Sequence, residues 1–376
     1  MLRIFTALAA TLFLVSCGEK TLTPPPADGS VVGMTRRNYE DPDRLSWDRK
    51  SARPLATTIW HPTSAAAKTM AEIVHPLEDP IFVGGWATQD ADLAVDGKAP
   101  LIILSHGTGG SAFQMMWLGR RLAAKGYIVA AIDHHGNTAA EDAYDPRGFR
   151  MPWERARDVS AVIDAMLNDP VFGPKIDQTR IGAAGFSLGG YTMAALAGAR
   201  TSLDQFERFC NGPDRDATCD PQAEFREANK QFDAMLEKSA PLRAAIAGHK
   251  ASFADPRISA FVLIAPALGQ ALTDDSLLTV ATPILVIGGT QDTVAPPETN
   301  AKRIAGKIRR GRYEKIEGAR HYSFLNECSK RGKRFVAVCK DAPGYSRFTG
   351  HNDAAELAAR YFEETFAASA GASALR

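Results

Sequence analysis

Residues 180–190 read RIGAAGFSLGG, and the fold turns on how that stretch is read. Ile181 to Gly185 are small or apolar, the character of a strand buried on both faces. Leu188-Gly189-Gly190 then leads into a helical pattern from Tyr191 to Ala199. The turn between them, Gly185-Phe186-Ser187-Leu188-Gly189, sets a serine at the apex of a strand-to-helix bend, where crowded backbone demands small neighbours. A serine hydroxyl is a poor nucleophile until a base removes its proton, and a tetrahedral oxyanion needs donors already in place. Ser187 is therefore a candidate nucleophile only if the rest of the chain supplies those partners.

Outward from that bend the pattern repeats. Leu55–Pro62, Leu101–Leu104, Tyr127–Ile132, Arg180–Phe186, Ile258–Ile264, Ile284–Ile287 and Arg312–Ile316 read as strands. Helical patterns cover Leu118–Ala124, Ala156–Leu167, Tyr191–Ala199, Glu298–Lys307 and Asp353–Ala367. Continuous apolar strands alternating with helices predict an α/β fold, a mainly parallel sheet covered by helices on both sides. The polar, helix-prone segment 202–256 breaks the rhythm and reads as an insertion over the carboxyl edge of the sheet, a possible lid.

The partners of Ser187 are sought at the ends of strands. Ser105-His106-Gly107-Thr108-Gly109-Gly110 follows the strand Leu101–Leu104, and its glycine-rich backbone can aim an N–H at an oxyanion. The expected donors are the N–H groups of Thr108 and Leu188, with His106 orienting the loop. In the order serine, acid, histidine, Asp292 follows the strand Ile284–Ile287 and His321 lies just past Arg312–Ile316. A carboxylate so placed can fix the imidazole tautomer and stabilise the imidazolium during proton transfer. Candidate pocket-lining residues are Phe186, Met115 and His135, the last in the loop Asp133-His134-His135-Gly136-Asn137-Thr138, where hydrogen bonding within the loop is the competing role. Arg157 and Asp158 suggest a structural ion pair.

The amino terminus has a different character. Arg3 precedes Ile4–Val15, an apolar stretch too short to span a bilayer and suited to a signal-peptide core. It ends in Leu14-Val15-Ser16-Cys17, which resembles the lipobox of bacterial lipoproteins, and that resemblance implies lipidation of Cys17. Gly18 in the next position implies the outer rather than the inner membrane. The expected organisation is a signal peptide over 1–16, a proline-containing tether over 17–45, a catalytic domain over 46–369 and a frayed tail over 370–376. With Cys17 committed to lipid, Cys210, Cys219, Cys328 and Cys339 remain, an even number that suggests disulfides in an exported protein. Three pairings are possible; Cys210–Cys219 and Cys328–Cys339 is preferred because each pair brackets a polar segment. No spacing suits a metal site. A net charge of +1 offers no footprint for nucleic acid.

The segments PLATTIWHP, LIILSHGTGG, IDHHGNT, RIGAAGFSLGG, ILVIGGTQD and GARHYSF together resemble the α/β-hydrolase branch of dienelactone-hydrolase-like proteins and platelet-activating-factor acetylhydrolase-like esterases. The resemblance covers roughly Arg53 to Phe366. It implies the α/β-hydrolase fold and ester hydrolysis through an acyl-serine, without metal or organic cofactor. Ser187 stands where dienelactone hydrolases have cysteine, and Phe186 where the acetylhydrolase branch has histidine, so the substrate class is carried only as a short-acyl or phospholipid-like ester. The expectation is a lipid-anchored periplasmic carboxylic-ester hydrolase acting on a small-molecule or lipid ester. Two alternatives stand beside it: an amide, peptide or polyester hydrolase with the same triad, and an inactive envelope binding protein on a hydrolase scaffold.

Overall fold

A computed structural model describes residues 22–26, 30–221 and 223–374. The signal peptide and Cys17 lie outside the described residues. In chain order the elements begin with β1 (Val32–Leu45), β2 (Ala52–Pro62), β3 (Ala71–His75), β4 (Phe82–Gln89) and β5 (Ala99–Ser105). Next come α1 (Met116–Ala124), β6 (Ile128–Ile132), α2 (Pro146–Arg150), α3 (Glu154–Asn168), β7 (Ile176–Phe186) and α4 (Leu188–Leu196). The insertion holds α5 (Leu203–Cys210), α6 (Ala228–Lys238) and α7 (Ala240–Ile246). The chain then runs through β8 (Ile258–Ile264), α8 (Asp274–Thr279), β9 (Ile284–Gly289), α9 (Ala301–Lys307), β10 (Gly311–Ile316), β11 (Glu327–Cys328), α10 (Lys330–Phe335) and α11 (Arg347–Ala374).

The strands lie in the order β10-β9-β8-β7-β5-β6-β2-β1-β4-β11, with β3 paired to β4. From β10 to β6 every pairing is parallel, and β2 then joins β6 antiparallel. Alternation along β5 shows why its sequence is apolar without a break. Leu101 and Ile103 face a cluster shared with Val159 of α3, Ala194 of α4 and Ile304 of α9. Ile102 and Leu104 face a second cluster with Leu118 of α1 and Phe362 of α11. Both faces are covered, so no position is left for water.

Two boundaries are corrected. The segment assigned to a tether, 17–45, contains β1, which pairs with β2 in a register from Val32↔Pro62 to Leu45↔Ala52. Its polar residues hid it: Arg36, Asn38 and Glu40 alternate with inward positions on a sheet margin that is only half covered. At the other end, backbone assigned to a frayed tail is helical through Ala374. The half-cystines pair as Cys210–Cys219 and Cys328–Cys339.

Candidate active site

Ser187 sits between β7 and α4 with φ 55° and ψ −115°, a left-handed conformation that a non-glycine residue adopts only when its surroundings impose it. The imposition is visible. Ser187 N–H donates to Ile264 O (2.9 Å), and Ser187 O accepts from Ala267 N–H (3.1 Å), so β8 and the loop after it hold both sides of the turn. A Cβ on Gly189 would lie 2.0 Å from Ser105 O, and one on Gly185 2.2 Å from Gly189 O. The small residues are there to let α4 close onto β7.

The loops after β9 and β10 bring Asp292 and His321 to the same edge. His321 Nε2 lies 2.9 Å from Ser187 Oγ, and His321 Nδ1 lies 2.7 Å from Asp292 Oδ2. Asp292 Oδ1 accepts from the N–H groups of Val294 (2.9 Å) and Ala295 (2.8 Å), which fixes the carboxylate. An ionised carboxylate only accepts, so the proton of a neutral His321 sits on Nδ1 and Nε2 offers a lone pair to the serine hydroxyl. All three side chains are buried. Phe186 packs its ring 5.0 Å from that of His321 and against Gly107 of the loop after β5.

The loop after β5 passes beside the serine: a Cβ on Gly107 would lie 3.3 Å from Ser187 Cβ. Within it, Gly109 N–H is committed to Asn137 Oδ1 (2.7 Å) and Gly110 N–H to Gly107 O (3.2 Å). Thr108 lies between Gly107 and these committed donors, half-buried. Leu188 opens α4, and a first helical residue has no carbonyl of its own helix to donate to.

Beneath this loop lies a second serine–histidine–aspartate chain, sealed from solvent. Ser105 Oγ is 2.9 Å from His134 Nε2, and His134 Nδ1 is 3.0 Å from Asp158 Oδ2. Burial alone would raise the Asp158 carboxyl, but the guanidiniums of Arg53 and Arg44 outweigh it and hold the group well below the usual carboxylate range. Burial, reinforced by Arg155, pushes His134 down to about 3. Above that pH Asp158 is ionised and His134 neutral. Arg155 Nη2 donates to His106 O, while His106 Nε2 accepts from His134 N–H (3.2 Å) and its Nδ1–H donates to Gly107 O (2.7 Å). The chain braces the loop from below.

Other expectations are placed differently. His135 has both ring nitrogens engaged, Nε2 by Trp47 N–H (3.0 Å) and Nδ1 by Glu141 (2.7 Å), so it knits its own loop rather than lining a pocket. Met115 is fully buried in the core with Trp117. Arg157 pairs with Glu154, not Asp158, because successive helical residues point to different sides. Reasoning from sequence missed Glu224 and Tyr322. Glu224 of the insertion accepts from Tyr322 Oη–H (3.3 Å), next to His321, and a Cβ on Gly109 would lie 2.8 Å from Glu224 Cβ. Phe225 packs on Tyr144 and Phe149, with ring separations of 5.9 and 5.2 Å. The insertion therefore packs over the loop after β5.

Comparison with known proteins gives partial matches of sequence and a broad one of fold. Cutinase 2 of Thermobifida cellulosilytica is 33% identical over 104 residues, 27% of this chain and 36% of that protein. Bis(hydroxyethyl) terephthalate hydrolase of Streptomyces coelicolor is 30% identical over 108 residues, 29% of this chain and 31% of that one. The chain thus spans about a third of the length of these curated relatives. A ferulic acid esterase structure from Streptomyces cinnamoneus superposes with a TM-score of 0.57 over 92% of both chains at 19% identity, a likeness of fold. The model of the Alpha/beta hydrolase family matches residues 102–338, a span that takes in the loop after β5 as well as Ser187, Asp292 and His321. With most of its length in that match, the chain belongs to the alpha/beta hydrolase family.

Proposed function

We propose that this protein is a serine hydrolase of carboxylic esters, with Ser187 as nucleophile, His321 as base and then acid, and Asp292 as the residue that orients His321. The observation that carries the reading is the continuous hydrogen-bonded line Ser187–His321–Asp292 at a strained strand-to-helix turn. Ser187 Oγ attacks the acyl carbonyl carbon as its proton passes to His321 Nε2. The oxyanion is held by the N–H groups of Leu188 and Thr108. Collapse breaks the ester C–O bond, and the leaving alkoxide takes the proton from Nε2. Water, deprotonated by the same imidazole, then releases the acid and restores the serine.

Turnover of a p-nitrophenyl ester series, alongside covalent labelling by a fluorophosphonate, tests this. Wild type should label and turn over; Ser187→Ala should do neither, with kcat falling on the order of 10^4-fold or more. Labelling of Ser187→Ala at the wild-type level would remove the assignment.

The names of the relatives favour a second reading, hydrolysis of polyester or terephthalate-type esters through the same residues. The roof formed by Glu224 and Phe225 argues for a compact ester instead, since it narrows the approach to the oxyanion loop. Release of soluble product from a polyester film, compared with a soluble short-acyl ester, separates the two. Two disulfides and an amino-terminal apolar stretch support export to an oxidising compartment, and Cys17 supports a lipid anchor there.

A further inference from the structure

Residues 329–340, SKRGKRFVAVCK, take no part in the chemistry above. They carry five cations and no acid in a chain whose net charge is only +1. Lys330, Arg331, Lys333, Arg334 and Lys340 are exposed. Arg331 meets Asp79 at 2.7 Å in solvent, a pairing that water screens, and among the described residues the other four form no ion pair. Phe335 is 63% exposed between two of these cations, with Arg331 and Arg334 guanidiniums 5.4 and 5.0 Å from its ring. Arg320 extends the charge toward the triad, donating to Lys340 O (3.3 Å) from the position next to His321.

A solvated charge run needs no scaffold, yet this one is braced at both ends. The Cys328–Cys339 disulfide closes it. Ser329 N–H donates to Ile81 O (2.9 Å) and Ser329 Oγ–H to Pro80 O (2.6 Å), seating α10 on the loop that follows β3. Gly332 allows the fit, since a Cβ there would lie 2.5 Å from Ile81 O. That loop presents Leu77, 81% exposed. The knuckle is also tied to the loop beside Ser187: Asn326 Nδ2 donates to Phe113 O (2.7 Å), and His75 packs on the Phe113 ring at 5.6 Å.

We infer that this knuckle is a docking surface for an anionic phospholipid bilayer. Clustered lysine and arginine complement negatively charged headgroups, and the exposed Phe335 ring among them can enter the headgroup boundary. Long cationic side chains keep their charge at the headgroups while their stems lie on the apolar layer. Bound this way, the protein brings the His321 loop to the lipid surface. Binding does not depend on the proposed ester chemistry, so the two can fail separately.

The test uses the full chain carrying Cys17→Ser, so that lipidation contributes nothing. Co-sedimentation is measured with phosphatidylcholine vesicles, with and without phosphatidylglycerol. Binding should require phosphatidylglycerol and weaken as salt rises. The Lys330→Ser/Lys333→Ser/Arg334→Ser variant should bind on the order of 100-fold more weakly. Phe335→Ala should also weaken binding while leaving its salt dependence unchanged. Turnover of a soluble short ester and the thermal midpoint, both unchanged, show that the variants are folded. Equal binding to neutral vesicles, full binding by the triple variant, or heparin binding as tight as that to vesicles with no effect of Phe335→Ala would each overturn the inference.

Discussion

Ser187 stands in a conformation that costs free energy, and its neighbours supply what holds it there. Asp292 contributes differently: it touches no reacting atom, yet its two backbone hydrogen bonds and its bond to Nδ1 decide which nitrogen of His321 faces the serine. Asp292→Asn should therefore lower kcat about 10^4-fold, by offering an amide donor that favours the wrong tautomer. Steady-state kinetics on a soluble ester would show it, with KM little changed. Asp158 resembles Asp292 in its histidine and serine partners but is fully buried between Arg44 and Arg53. Asp158→Asn strands the buried Arg53 guanidinium and removes one of the three carboxylates around Arg44, so it should cost about 3 kcal/mol of stability. Urea unfolding measures that loss; a change of less than about 1 kcal/mol would mean the cations find water or other partners.

At the scale of elements, α4 packs close over β7 and β5, and Gly189 marks its approach to the end of β5. Gly189→Ala places a methyl group against Ser105 O and must push α4 away from β5, at a cost of about 3 kcal/mol. The same shift moves Leu188 N–H, so activity should fall further than stability does; thermal unfolding and kcat measured together distinguish the two effects. The insertion behaves as a separate layer. Phe232 and Leu242 pack with Met151 and Trp153 in a small core of their own, while Glu224 and Phe225 reach toward Tyr322 and Tyr144. The sequence suggested an insertion over the carboxyl edge, but not that Glu224 is the residue beside Gly109 and Tyr322, because it lies far along the chain from both.

For the molecule as a whole, buried histidines set the response to acid. Burial pushes His134 down to about 3, and holds His106 and His351 well below their ordinary value of 6.5. In the unfolded chain these groups take protons below about pH 6.5, while in the folded protein they stay neutral. Stability should be nearly flat above neutrality and fall as pH drops toward 3, by up to about 1.4 kcal/mol per pH unit for each histidine. Asp158, whose folded value is depressed, adds loss in the same direction below the usual carboxylate range. Urea midpoints across that range check this, and His134→Gln should remove one histidine's share of the slope. A midpoint that stays constant between neutrality and about pH 5 would show that these histidines accept protons in place.

The sequence by itself determined the central strands and the candidate triad. Strands buried on both faces must be apolar throughout, which is why Ile258–Ile264 was legible to the residue. The candidate triad residues Ser187, Asp292 and His321 stand out in the sequence because each sits at the end of such a strand, in a fixed order. Tertiary structure decided what depends on contacts distant along the chain. β1 is polar on its outer face, and only its pairing with β2 shows that it belongs to the sheet. The buried line Ser105–His134–Asp158 and the roof at Glu224 have no local signature either. A hydrogen bond between distant segments leaves no periodicity in either one, so folding alone brings it into view.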